Sequence, residues 1–472
     1  MASDAIALRS HLMRRVGVGA TRTELEAMET VPYEELVEKL LYPADEAYPT
    51  DDLIMRYFPA IHQAPGGISA PDSVLTAANI WIFNMVNGRD PLREKMALFW
   101  HHVLATAWFK SENSTALVHQ INTFRKNGLL NLRQILLDVS RDPAMIDWLD
   151  NCENHSNEIN ENYGRELLEL FSMGIGNYTE DDIKAASRAF TGWTFKQPVP
   201  LYPYGLWGTK FEYREEDHDD GEKEFLGNKG NFDGQDIIDI IVQQDACARF
   251  ISRHLYNFFV ADEPQVPAWG IEEPNDPEAV QILCDAFKEF DGDIRAVMRV
   301  LLNSEFFKNT RFSKVKSPAE FVGGAIKLAN WPEIPDPVMS EWGAATTAMG
   351  QKLLDPPTVE GWHTGKEWLD GGTLTERVNF AVGQVTDIEK PGVRSMIDRL
   401  RSYGGPVTPN NFVGEVLDFV GPIIPSEETL TTLNEFAAEE GDLIFDSNEQ
   451  DTEERVGRMM QLVVACPEYQ FA

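Results

Sequence analysis

Glu166 and Glu169, in the stretch NENYGRELLELFSM, are the first residues whose type and spacing could do chemistry. Laid on a helix over residues 160–173, Tyr163, Gly164, Leu167, Leu168, Leu170 and Phe171 form an apolar arc, while Glu161, Arg165, Glu169 and Ser172 lie opposite. Glu161 and Arg165 are an i,i+4 pair with the acid first, an order that supports a helix by about 0.2–0.5 kcal/mol, and Glu169 extends this solvated ion-pair stripe. Glu166 falls at the border, beside Leu170 and Met173 and with Asn162 one turn before it. A carboxylate there is partly desolvated, which raises its pKa toward the range useful for proton transfer. The same position suits a metal ligand, or a structural acid held by an arginine or by backbone amides.

Metal chemistry would need donors from several segments. The paired Glu-x-x-His motifs of di-iron bundles are absent, and so is HExxH. The candidate nitrogen donors are His101, His102, His155 and His218, each of which also reads as a hydrogen-bonded structural histidine. His218 sits in the acidic turn DHDDG with Asp217, Asp219 and Asp220, suited to a cation or a positive substrate group and equally to a solvated loop. That turn fails the EF-hand pattern, because Gly221 comes one position early and the closing glutamate is missing. No GxSxG occurs, no cysteine has an evident histidine partner, and the glycines of SMGIGN follow a helix as a C-cap.

The elements that must position these residues are helical. Residues 4–15 suit a short helix, and Thr21 with Glu24 forms a capping-box pattern at the next helix start. Pro32 opens YEELVEKLL, and residues 44–70, rich in proline, read as a long loop before SVLTAANIWIFNMVNG. Pro91 starts one helix through LREKMALFWHHVLATAWF, apolar on nearly every side and therefore buried, with His101 and His102 on it. From Gln197 to Gly234 the composition shifts to Gly, Pro, aromatic and acidic residues. There KFEY and KEFLG are expected to be the arms of one small hairpin, with DHDDG as its turn. Helical periodicity returns after residue 234 and persists through at least three amphipathic segments beyond residue 393. No fixed-period repeat is evident.

Composition bounds the function. The 472 residues carry 41 basic and 76 acidic side chains, a net charge of −35, and the pI is near 4.6. So acidic a surface repels phosphate backbones and anionic lipid, which argues against a nucleic-acid partner. The four cysteines are widely spaced and are expected to be free thiols. No apolar run is long enough to span a membrane, and the first residues lack an export signal, so the cytoplasm is the expected compartment.

Several stretches together resemble the domain-of-unknown-function 1800 family. They are the His-Leu-x-Arg-Arg-x-Gly-x-Gly-Ala-Thr start at residues 11–21, KMALFWHH at 95–102, NENYGRELLELFSMGIGNYTEDDI, AFTGWTF, HDDGEKEFLG, VKSPAEFV and LLDPPTVEGW. The resemblance implies a largely α-helical fold, known mostly from bacteria. It also implies genes that often neighbour a second uncharacterised family related to alkaline phosphatases and sulfatases. Many relatives look exported, which this chain does not. The family's FWHNHF-type motif departs here, with His102 where Asn is usual and Val103 where the second His is usual, so a His-x-His metal site on that helix is weakened.

The expected fold is all-α, a single large helical body over 1–472 with a small β-hairpin insertion around 205–230. Subdomains could fall at 1–195, 196–234 and 235–472. Two functions are expected. One is a non-catalytic partner or scaffold for a hydrolase of the alkaline phosphatase or sulfatase type. In it, His101, Asn162, Glu166, Trp193 and His218 would form a buried polar network, and this reading is preferred on base rates. The other is a hydrolytic enzyme in which Glu166, His218 and His101 are catalytic and Asn162, Trp193 and Asp219 bind substrate. His101, Glu166 and His218 would there hold a divalent metal, the one cofactor considered.

Overall fold

Helix starts are fixed locally by side chains that satisfy the otherwise free amides of the first turn. Thr21 and Glu24 form the expected reciprocal capping box, and the same device recurs at Thr179 with Asp182, Asp233 with Asp236 and Ser317 with Glu320. The structure, a computed structural model, describes residues 3–43, 71–196, 209–330, 334–445 and 449–472. The loop expected over 44–70 lies outside the described residues. Six helices carry the residues at issue and are labelled in chain order: α1 (Asp4–Val16), α2 (Pro91–Val103), α3 (Asn162–Glu169), α4 (Glu180–Ala189), α5 (Asp245–Phe259) and α6 (Pro318–Ala329).

Helix α2 lies at the centre, and every residue from Glu94 to Val103 is buried. It is shorter than its periodicity predicts. The chain leaves the helix at Leu104, and the Trp108 N–H donates to the Leu354 carbonyl at 3.0 Å. A tertiary bond to the 354–365 loop thus overrides local propensity, and only a four-residue turn, Trp108–Ser111, follows.

Around α2 the two ends of the chain interleave. Tyr33–Leu41 packs on Ile294–Asn303, and α6 packs on both Pro71–Asn87 and Gly371–Val385. One contiguous cluster of buried apolar residues runs from Ile6 to Tyr469. The amphipathic tail forms four helices, Pro391–Arg401, Pro409–Val420, Glu427–Glu439 and Glu449–Ala465. Among the described residues no helix is long and apolar enough to cross a membrane, and all four cysteines are free.

Among the described residues, three of the four strands fall in the expected region, while the first precedes it, and the pairing differs. KFEY (β2, Lys210–Tyr213) pairs antiparallel with β1 (Trp193–Lys196), and β3 (Lys223–Phe225) pairs with β4 (Asn228–Gly230). Two separate ribbons therefore replace the single hairpin. Two local preferences decide this. Trp193 packs edge-on to Phe211 at 5.3 Å across the first ribbon, a cross-strand pair that fixes its register. In the second, Leu226 (φ 47°) and Gly227 (φ 80°) supply the two left-handed residues of a tight hairpin turn.

Candidate functional site

The asparagine-rich lead-in acts as a bracket for α3. Asn151 Nδ2 donates to the carbonyls of Phe190 (3.2 Å) and Trp193 (2.8 Å), and Asn154 Nδ2 donates to Ser187 O at 2.9 Å. The Asn160 N–H is held by Asn154 Oδ1 at 3.0 Å. These bonds fasten the start of α3 to the end of α4. Gly164 permits the close approach, since a Cβ there would sit 2.3 Å from Ser187 Oγ. Asn162 points away: it is exposed, with its Nδ2 3.4 Å from Asp150 Oδ2.

On this helix Glu166 is half-buried, and its carboxylate makes no hydrogen bond or ion pair with any described residue. Burial, then the neighbouring Glu169 charge, push its pKa up to about 7; Arg165 opposes this and Glu360 adds to it. Arg165 is diverted, because its guanidinium binds Glu180 at 2.9 Å and Glu161 at 3.2 Å. The expected Glu161–Arg165 stripe is therefore present, but Glu169 has left it to accept from the Tyr178 hydroxyl at 3.0 Å.

The histidines on α2 lie inside the molecule. His101 is fully buried between Trp81 (5.6 Å) and Trp362 (5.3 Å). Its Nε2 accepts from the Leu354 N–H at 3.1 Å, so the neutral ring carries its proton on Nδ1, which has no hydrogen-bond partner among the described residues. Burial, then His102, lower its pKa to about 3. His102 lies nearly parallel to Trp362 at 6.4 Å, and burial, then Lys314, hold it at about 4. The 354–365 loop reaches it through Gly361 (φ 84°), where a Cβ would be 2.5 Å from the His102 carbonyl oxygen. On α5, His254 is wedged between Phe250 and Trp269, each at 4.6 Å. Burial, then His102 and Arg253, hold it well below the usual histidine value.

His218 and Asp219 belong to a different place. His218 Nδ1 is 3.0 Å from Thr191 O, and Asp219 forms a two-pronged ion pair with Arg188 at 2.7 and 3.0 Å. The Arg188 hydrogen bonds hold the Asp219 carboxyl down at about 2. Trp193 is core, edge-on to Phe190 at 5.0 Å and covered by the Arg141 guanidinium at 5.3 Å. His155 pairs with Asp217 at 2.6 Å. The six candidate residues thus divide among the α3 surface (Asn162, Glu166), the α2 interior (His101), the buried start of β1 (Trp193) and the turn after β2 (His218, Asp219). Among the described residues no three His, Cys, Asp or Glu side chains are grouped so as to hold a metal ion, so His101, Glu166 and His218 are not brought together as a ligand set.

Two features escaped the sequence reading. The first is a buried charge cluster in which Lys95 on α2 pairs with Glu320 on α6. The Lys95 ammonium also reaches Gly17 O at 3.3 Å. Burial opposes ionisation of Glu320, but Lys95 and Lys314 hold it down at about 2. Arg15, at the end of α1, completes the cluster within reach of Glu320 and Asp262. The signal was available: Lys95 lies on a helix read as buried on nearly every side, and a lysine there requires a partner.

The second feature is a cleft of about 420 Å³ between the 174–177 turn and the 262–274 loop. Glu169 at the end of α3, Leu170 and Met173 just beyond it, Arg249 and Phe250 of α5, and Trp269 line it. Glu166 lies one turn back on the same helix. A larger cleft of about 1070 Å³ at residues 19–24 and 86–91 has charged walls already paired, Glu24 with Lys327 at 2.9 Å and Arg22 with Asp418 at 2.6 Å.

No curated protein and no solved structure matches the chain. The stretches that carried the resemblance meet one another in the fold: the α1 end and α6 around Lys95, the 354–365 loop on His101 and His102, and the AFTGWTF strand on the α3 bracket. Residues 11–471 match a protein family over nearly the whole length of the chain, which therefore belongs to the family described as Protein of unknown function (DUF1800).

Proposed function

We propose that the chain is a non-catalytic partner or scaffold for a hydrolase of the alkaline phosphatase or sulfatase type, acting in the cytoplasm. One observation carries this reading: apart from Glu166 and the exposed Asn162, the side chains expected to serve a reaction are committed to internal contacts. Asp219 is neutralised by Arg188, His218 is tied to Thr191, Trp193 is core, and His101 spends its Nε2 on the Leu354 amide. The class of hydrolase comes from the family resemblance alone. The test is co-purification of the tagged full-length chain with the hydrolase encoded beside its gene. A stoichiometric complex is expected; two proteins that elute separately at micromolar concentration would overturn the proposal.

Glu166 favours a second reading, a hydrolytic enzyme using it as general acid or base. An unpaired carboxyl at about 7 is poised for proton transfer near neutral pH. Purified protein should then hydrolyse aryl phosphate or sulfate esters, with the rate lost in Glu166→Gln while the fold is kept. Activity that survives this substitution excludes the role.

A further inference from the structure

We infer that the cleft between the 174–177 turn and the 262–274 loop is where the partner docks, and that it accepts a segment carrying an aliphatic side chain beside a lysine or arginine. This rests on the partner reading above. The apolar half of the argument is exposure. Ile271 is 90% exposed and Ile175 47%, one on each lip of the cleft, and Gly270 brings the lips together, its Cβ position lying 3.5 Å from Ile175 O. Trp269 lies between them, its indole fixed by an Nε1 bond to Pro264 O at 2.7 Å and its face covered by the Arg253 guanidinium at 4.6 Å. A rigid aromatic wall flanked by free isoleucines is the composition of a hot-spot pocket.

The polar half is charge. The rim carries Glu169, Asp245, Glu272 and Glu273, of which Asp245 is already paired with Lys288 at 2.7 Å. Of the two arginines lining the cleft, Arg253 is consumed by Glu263 at 2.8 Å and by the Glu272 carbonyl at 2.8 Å, which leaves Arg249. Behind the rim, Glu166 has no hydrogen-bond or ion-pair partner among the described residues and feels Glu360 as well as Glu169. With Arg249 set against Glu169, Glu272 and Glu273, the cleft is net negative, and an acidic or phosphorylated segment would meet repulsion where a basic one is attracted.

A cation seated here favours the ionised form of Glu166, so docking releases a proton near neutral pH and weakens as pH falls below about 7. The groups that face Glu166 are Arg165 and Glu169 on its own helix, Tyr178 after the turn, and Glu360 on the 354–365 loop.

The experiment measures binding of the neighbouring hydrolase to the full chain by calorimetry. It compares wild type, the double variant Ile175→Glu with Ile271→Glu, the double variant Glu272→Arg with Glu273→Arg, and Ile424→Glu as an exposed control elsewhere. Circular dichroism checks that each variant folds. Docking at this cleft predicts at least about tenfold weaker binding for both double variants, an unchanged control, and heats that differ between phosphate and Tris buffers by the released proton. If wild type binds and both double variants match it, the location is wrong while the partner reading stands. If the arginine variant binds more tightly, the occupant is acidic and the assigned chemistry is overturned. If wild type does not bind, the partner reading fails and this inference with it.

Discussion

Removal of the Glu320 carboxylate would leave Lys95, only 3% exposed, without its counter-charge beside Lys314 and Arg15. Glu320→Gln is therefore expected to cost about 3–5 kcal/mol in urea unfolding, the range for breaking a buried pair from one side. A double replacement of Lys95 and Glu320 by Met and Leu should cost less than the single change. Glu166 behaves oppositely. Its pKa rises from 4.5 unfolded to about 7 folded, so the stability it contributes is fully present below about 4.5 and lost as pH rises through 7. Glu166→Gln should match wild type at pH 4.5 and exceed it by on the order of 1 kcal/mol at pH 8, read from the urea midpoint. The half-buried place of Glu166 was legible because helix periodicity alone sets it. The fates of His218 and Asp219 were not, because their partners Thr191 and Arg188 lie 27 and 31 residues away.

At the scale of elements, the 354–365 loop is a strap across α2. It is held by the Leu354 amide on His101, the Trp108 amide on Leu354 O, and the Trp362 ring against both histidines. Gly361 is its tightest point, so Gly361→Ala meets both a left-handed backbone and a clash with the His102 carbonyl. It should lower stability by about 2 kcal/mol or more and increase amide exchange at Leu354, measured by mass spectrometry. Helix identities and most starts could be read from spacing and caps. The early end of α2 could not, since only the distant Leu354 carbonyl explains it. The ribbon pairing was misread for a related reason. KFEY has the alternation of a strand, but its partner is chosen by an aromatic contact from Trp193 to Phe211, which lie on either side of residues 197–208.

At the scale of the whole molecule, four imidazoles among the described residues are kept neutral inside. Burial, then cationic neighbours such as Arg15, lower His11 to about 2; His101 is held at about 3 and His102 at about 4, and His254 is depressed as well. Below about 6.5 the unfolded chain takes up protons that the native state refuses, so stability falls as pH drops from 6.5 toward 4. The midpoint of urea unfolding should decline over that window, and by less in His102→Phe, whose ring still fits between Phe258 and Trp362. Finally, the lysines and arginines gathered around Glu320 are withdrawn from a surface whose chain already carries a net −35. The molecule is layered like a charged shell around an oppositely charged kernel. Dissolved salt reaches only the shell, where it damps mutual repulsion. Sodium chloride should therefore raise the melting temperature of this protein, while the cost of Glu320→Gln stays the same at every salt concentration.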